Sequence, residues 1–344
     1  MQGIDQKETT SIARAPSPFE KHGDAVFRFA AYAFAWLTVL LVVYIVYTIT
    51  SQAIPAMKGY GTGFITGSTW NANTKVYGIL PEIWGTMYSS VLAIFFGSVF
   101  GIAVAICISE HYLASFVFGL LSIFGVQFHP ILGKLPDKVE RFLKNLIELL
   151  AAIPSVVYGL WGIFCVIPLI RPACQWLHAN LGWVPIFGTN LSGPGMLPAS
   201  VVLSIMVIPT ITAISLNALL AVPGKLREAA YGLGATRWES ILVVQIPTAS
   251  KGIFGSIVLA FGRALGETMA LAMLVGNANV ISWSLFSPAN TLAALLANNF
   301  PEAGPHEVGV LMFAALILLA ITLLVNIAGA FILQRTSVNL EGAR

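Results

Sequence analysis

The sequence predicts an all-α polytopic membrane protein with six transmembrane helices. Three observations carry that prediction. First, 57% of the 344 residues are hydrophobic and only 10% are charged, against about 25% charged in soluble domains. The mean hydropathy is +0.83, so most of the chain must face lipid. Second, six apolar runs are each long enough to cross the hydrocarbon, which takes about 20 residues. Third, the basic residues segregate to one side of those runs, as cytoplasmic loops require.

Residues 1–24 hold Lys7, Arg14 and Lys21 among Gln, Thr, Ser and Pro and read as a flexible cytoplasmic tail. The first apolar run, 25–50, is too long for the core of a cleavable signal and is expected to be retained as the first span. Residues 51–82 form a periplasmic segment rich in Gly, Thr and Asn. Trp70, Tyr77, Trp84 and Tyr88 lie in it or open the next run, as suits a membrane interface. The second span is expected over 83–109. The third spans about 146–170 and contains Pro154. A loop over 171–195 leads to the fourth span, 196–221. Residues 222–251 form a polar loop, 252–276 the fifth span, 277–307 a loop without Lys or Arg, and 308–333 the sixth span. Residues 334–344 form a second cytoplasmic tail.

The segment 112–128 is ambiguous, with seventeen apolar-leaning residues at the lower limit for a span. With six spans and both termini inside, fourteen Lys and Arg residues fall inside and only Lys58, Lys75 and Arg171 fall outside. A crossing at 112–128 would put strongly basic segments on the outer side. Residues 112–135 are therefore expected to be a non-spanning insertion on the cytoplasmic side.

Several function classes are excluded. Cys107, Cys165 and Cys174 are odd in number and lie in or beside apolar runs, so they read as core residues rather than disulfides or metal ligands. The five histidines show no ligand spacing. Gly133-Lys134 and Gly224-Lys225 are each followed by Leu rather than Ser or Thr, so no phosphate loop is present. No nucleophile, base and orienter can be assembled from the spans, which argues against an enzyme. No cofactor and no nucleic-acid partner are expected.

Two stretches carry chemistry. In the polar loop, good helix formers from Lys225 to Tyr231 are followed by Gly232 and Gly234, which permit a sharp turn. Thr236-Arg237-Trp238-Glu239 has the form of a capping box. A second short helix is expected to stop at Pro247. In the fifth span, Ser256, Ala260, Arg263, Glu267 and Ala270 share one helical face. Arg263 at mid-span must face the bundle interior or a watery path. Glu267, four residues on, is placed to pair with it. Two readings stand: an ion pair that fixes helix packing, or a gate or contact for an anion. A guanidinium offers forked donors matched to a phosphate-like oxyanion.

Glu228-Ala229-Ala230, Gly234 and then Ile246-Pro247 resemble the EAA loop of ABC importer permeases. Val244 stands where the pattern prefers Ile, and Ile246 where it prefers Leu. The resemblance implies that the loop fits a groove on a separate ATPase subunit. Glu148 to Gly162 (ELLAAIPSVVYGLWG), Glu228 to Glu239 and Gly262 to Ala270 are together similar to the PstC-type permeases of phosphate ABC importers, over roughly residues 80–333. The insertion around 112–135 departs from that pattern. The resemblance implies a type I ABC importer permease (MetI-like) fold in the bacterial inner membrane. It implies a PstA-type permease partner, two ATPase subunits that bind the ATP, a periplasmic phosphate-binding protein, and phosphate as the cargo. It places Arg263, Glu267, Ser155 and Tyr158 on the translocation path and Glu228, Ala229, Ala230 and Gly234 at the ATPase contact. Sulfate or molybdate as the oxyanion, or a phosphate-sensing scaffold, are the alternatives.

Overall fold

A computed structural model of the chain describes residues 17–110 and 135–341. The expectation that residues 112–128 do not cross, and most of the insertion to which they belong, fall outside the described residues. Among the described residues, six helices are long and apolar enough to cross a membrane.

The chain divides into two compact units, Met1–Ser51 and Gln52–Arg344. The first holds most of helix α1, Pro18–Tyr60. The helix begins within the expected tail and runs ten residues past the expected end of the span. Its membrane-length portion exposes apolar side chains such as Phe34, Trp36 and Tyr47.

In the second unit, Ala53 and Ala56 at the end of α1 are buried in an outer cluster with Phe64, Tyr77, Leu292 and Val310. Phe64 belongs to a short helix, α2 (Gly63–Thr66), and stacks on Phe313 with ring centroids 4.6 Å apart. A two-stranded hairpin follows, Trp70–Asn71 paired with Val76–Tyr77. The Asn71 side chain accepts from the N–H groups of Asn73 and Thr74 and so closes its turn.

Helix α3 (Leu80–Ser109) packs along α7 (Met196–Leu220), the most enclosed of the spans. Small residues permit the approach. A Cβ at Gly97 would lie 2.6 Å from Val207 Cγ2, and one at Gly101 would lie 2.9 Å from Ile211 Cγ2. Close backbone approach through small residues is how helices associate in lipid, where no hydrophobic force distinguishes neighbour from solvent. The Thr212 hydroxyl donates across the contact to the Gly101 carbonyl at 3.1 Å. On the other side of α7 lies α10 (Ile246–Leu265), with Ser215 and Ser256 hydroxyls 2.9 Å apart. Helix α13 (Pro305–Glu341), which follows the short α12 (Leu292–Asn299), packs on α10 through Gly329 against Val258.

The third span differs from its expectation. Helix α4 (Leu135–Ala152) ends before Pro154, and α5 (Ser155–Trp161) begins after it. Proline lacks an N–H and disfavours the helical conformation in the preceding residue. A π-helical turn, Gly162–Val166, joins α5 to α6 (Ile167–Leu181). The membrane-length helix is therefore Ser155–Leu181, shifted about ten residues toward the C-terminus, and Arg171 lies within it rather than in a loop.

Replacing Gly97 by Val should force α3 away from α7 and destabilise the protein by about 1–3 kcal/mol. A lowered melting temperature of the detergent-solubilised protein would register it. An unchanged melting temperature would mean that the contact yields.

Candidate translocation site and coupling loop

The fifth span is interrupted. Helix α10 ends at Leu265, residues 266–268 are non-helical, and α11 (Met269–Leu274) resumes the path. This corrects the expected face. Arg263 and Glu267 are four residues apart, but the turn that would align them is missing. They form no ion pair, and Arg263 Nη1 donates instead to Thr210 Oγ1 of α7 at 3.2 Å. Arg263 is exposed and Glu267 half-buried. The guanidinium sits in the last turn of α10, where the unpaired carbonyls give the helix end a partial negative charge. That field, rather than a carboxylate, offsets the cation.

The interruption after Leu265 matches the one at Pro154. Helix α5 packs on α11 through Gly159, where a Cβ would lie 2.7 Å from Met273 Sδ. Tyr158 is buried, and its hydroxyl donates to the Leu150 carbonyl at 2.8 Å. It thereby satisfies one of the acceptors freed where α4 ends. Tyr158 also lies within electrostatic reach of Arg263. Ser155 begins α5 and is half-buried. Arg263 and Tyr158 are thus brought together between two broken helices, with Ser155 on the same short helix as Tyr158 and Glu267 within the second break.

Thr210 was missed by sequence reasoning. The available signal was a polar residue next to Pro209 in a span that also carries Ser200, Ser204, Thr212, Ser215 and Asn217.

The polar loop folds as expected in its first half. Helix α8 (Gly224–Gly232) carries Glu228 and Ala229 exposed and Ala230 buried. Gly234 has φ +87°, a left-handed conformation that side-chain-bearing residues resist, and the Ala235 N–H closes the turn onto the Ala230 carbonyl at 3.0 Å. Arg227 Nη1 reaches Glu110 Oε1, at the end of α3, at 3.3 Å. The capping box is formed: Thr236 Oγ1 accepts from the Glu239 N–H, and the Thr236 N–H donates to Glu239 Oε2.

The second half corrects the expectation. The helix does not stop at Pro247. A short helix, α9 (Arg237–Glu239), passes through a π-helical stretch, Ser240–Gln245, directly into α10. The wider π geometry relaxes the helical ladder ahead of Pro247. The loop is therefore continuous with the span that carries Arg263. Leu233, Trp238 and Val243 leave large apolar surface exposed on it, Leu233 at 91%.

Residues 131–338 match the family model described as "Binding-protein-dependent transport system inner membrane component". The chain is 35% identical to the phosphate transport system permease protein PstC of Mesorhizobium japonicum, over 91% of this chain and 90% of that one. It is 33% identical to PstC of Haemophilus influenzae, over 91% and 93%. Among solved structures, the fold resembles a chain of a bacterial alginate ABC transporter (TM-score 0.57, 16% identity, 91% and 96% covered). It also resembles a chain of the inward-facing MetNI methionine ABC transporter (TM-score 0.52, 20% identity, 75% and 95% covered). This protein, a multi-pass membrane chain with a broken fifth span and a continuous coupling loop, belongs to the family of binding-protein-dependent transport system inner membrane components, among permeases of the PstC type.

Proposed function

We propose that the chain is the permease subunit of an ATP-driven importer that moves inorganic phosphate across the bacterial inner membrane. The observation that carries this reading is Arg263: an exposed cation in the last turn of the fifth membrane-length helix, held by a single neutral hydroxyl at 3.2 Å and unpaired with Glu267. A buried structural ion pair would be closed. A guanidinium held by one threonine keeps donors for an incoming oxyanion. The identity to PstC proteins over nine-tenths of the chain supports phosphate over sulfate or molybdate.

The chain has no ATPase role in this scheme. It pairs with a PstA-type permease, two ATPase subunits that bind ATP, and a periplasmic binding protein that delivers phosphate. Its termini lie in the cytoplasm, as the distribution of basic residues favours. Closure of the ATPases moves Glu228, Ala229, Ala230 and the apolar patch around Leu233. Because α9 continues into α10, that motion reaches Arg263 along one helix. The Arg227–Glu110 pair carries part of it to α3.

The test is the complete complex in proteoliposomes, with ATP inside, binding protein outside and radiolabelled phosphate. ATP-dependent uptake resisted by excess phosphate and not by sulfate or molybdate is expected; an assembled complex that hydrolyses ATP without phosphate uptake overturns the reading. Arg263→Gln should abolish uptake while subunits still co-purify. Loss of assembly instead would assign Arg263 to packing.

Because Arg263 and Glu267 do not touch, their effects on subunit stability should add, within about 0.5 kcal/mol in a double-mutant cycle of Arg263→Gln and Glu267→Gln. A larger coupling would mean that the pair forms after all. Glu228→Lys should reduce ATPase co-purification or leave hydrolysis running without uptake. Wild-type uptake in that variant would remove the loop from the coupling role.

A further inference from the structure

Helix α7 is enclosed on most sides, yet one stripe of it is open. Thr210, Ala213 and Asn217 follow one another at i, i+3 and i+7 on a single face. Thr210 is half-buried, and Ala213 and Asn217 are exposed. Arg263 meets this stripe at Thr210. Asn217 lies seven residues, about 10 Å, closer to the coupling loop.

At that level α4 crosses α7 around a cavity of about 90 Å³, lined by Lys144 and Glu148 from α4 and by Thr212, Ala213, Leu216 and Asn217 from α7. Thr212 donates its hydroxyl proton to the Gly101 carbonyl, so it offers the cavity only lone pairs. Lys144 makes no ion pair, and Asn217 no side-chain hydrogen bond, with any described residue. Toward the described residues, the donors the cavity leaves open are therefore an ammonium and a carboxamide NH₂. Both are complementary to an oxyanion, and the ammonium makes the stronger, charge-assisted bond.

Building on the phosphate reading of Arg263, we infer that this cavity is a second oxyanion site, the release station of the same path. Lys144 is its cation and Asn217 its neutral donor. Glu148 stands one helical turn from Lys144 on the same face, within reach of the ammonium. When the anion leaves, Lys144 exchanges it for Glu148, so the cation is never stranded and the anion is not trapped. Two weak sites in series conduct where one strong site would hold its ion.

The experiment uses the whole complex, with Cys107, Cys165 and Cys174 replaced by Ala and a cysteine introduced by Ala213→Cys. Inorganic phosphate should slow labelling of that thiol by a water-soluble reagent severalfold. The protection should disappear in Lys144→Gln and return in Lys144→Arg. In proteoliposomes Lys144→Gln should lower uptake about tenfold, the scale of one charge-assisted bond, with Lys144→Arg recovering most of it. The proposal is overturned if Lys144→Gln transports at the unmodified rate and keeps its phosphate protection. If the unmodified complex takes up no phosphate, the Arg263 reading has failed. The labelling arm still decides the inner site: Lys144-dependent protection supports it, and its absence rejects it. Should Lys144→Gln fail to assemble, Asn217→Ala decides in the same assay, since undiminished protection there also rejects the site.

Discussion

Hydrocarbon offers no water to satisfy a polar backbone group, so an interrupted helix at membrane depth is tolerated only where protein or a watery cavity receives the freed groups. Two helix breaks, at Pro154 and at Gly266–Thr268, border the membrane-length helices Ser155–Leu181 and Arg237–Leu265. They lie against each other, because α5 and α11 pack through Gly159. Each makes the other tolerable. The Tyr158 hydroxyl takes up the Leu150 carbonyl, and the carbonyl-rich end of α10 sits under the Arg263 guanidinium. The second break leaves the Arg263 guanidinium exposed at the end of α10.

That arrangement changes the chemistry assigned to the charged span. An Arg–Glu pair closed upon itself would be a packing device, costly to desolvate and weak as evidence for transport. An arginine steadied by one threonine keeps donors unpaired among the described residues, which is what the proposed anion contact requires. The absence of the ion pair follows directly from the ending of α10 at Leu265, two residues beyond Arg263.

The coupling loop has a complementary logic. Its capping box, its glycine turn at Gly234 and its salt bridge to Glu110 hold the loop in shape, while its apolar side chains are left for another subunit to cover. The π-helical stretch before Pro247 lets the loop and α10 be one rod. Residues 237–265 therefore form one helical path that ends just beyond Arg263, and the turn at Gly234 joins it to α8.

Much of this was legible from residue order. Composition and six apolar runs were enough for the membrane class, because lipid imposes length and apolarity on each span separately. The Thr236–Glu239 box and the Gly234 turn were equally readable, since both are satisfied within a few residues. Arg263 was visible because a charge in a span is conspicuous wherever it packs. The partner of Arg263 was not legible: Glu267 was close in sequence, but Thr210 was close in space, fifty-three residues away. The break at Gly266–Thr268, the passage of the helix through Pro247, and the open stripe from Thr210 to Asn217 were likewise not visible in local residue order. Local sequence thus determined which elements form and where charge is placed. Only the tertiary structure decided what each charge meets, because at a broken helix the next turn of the chain is no longer the nearest neighbour.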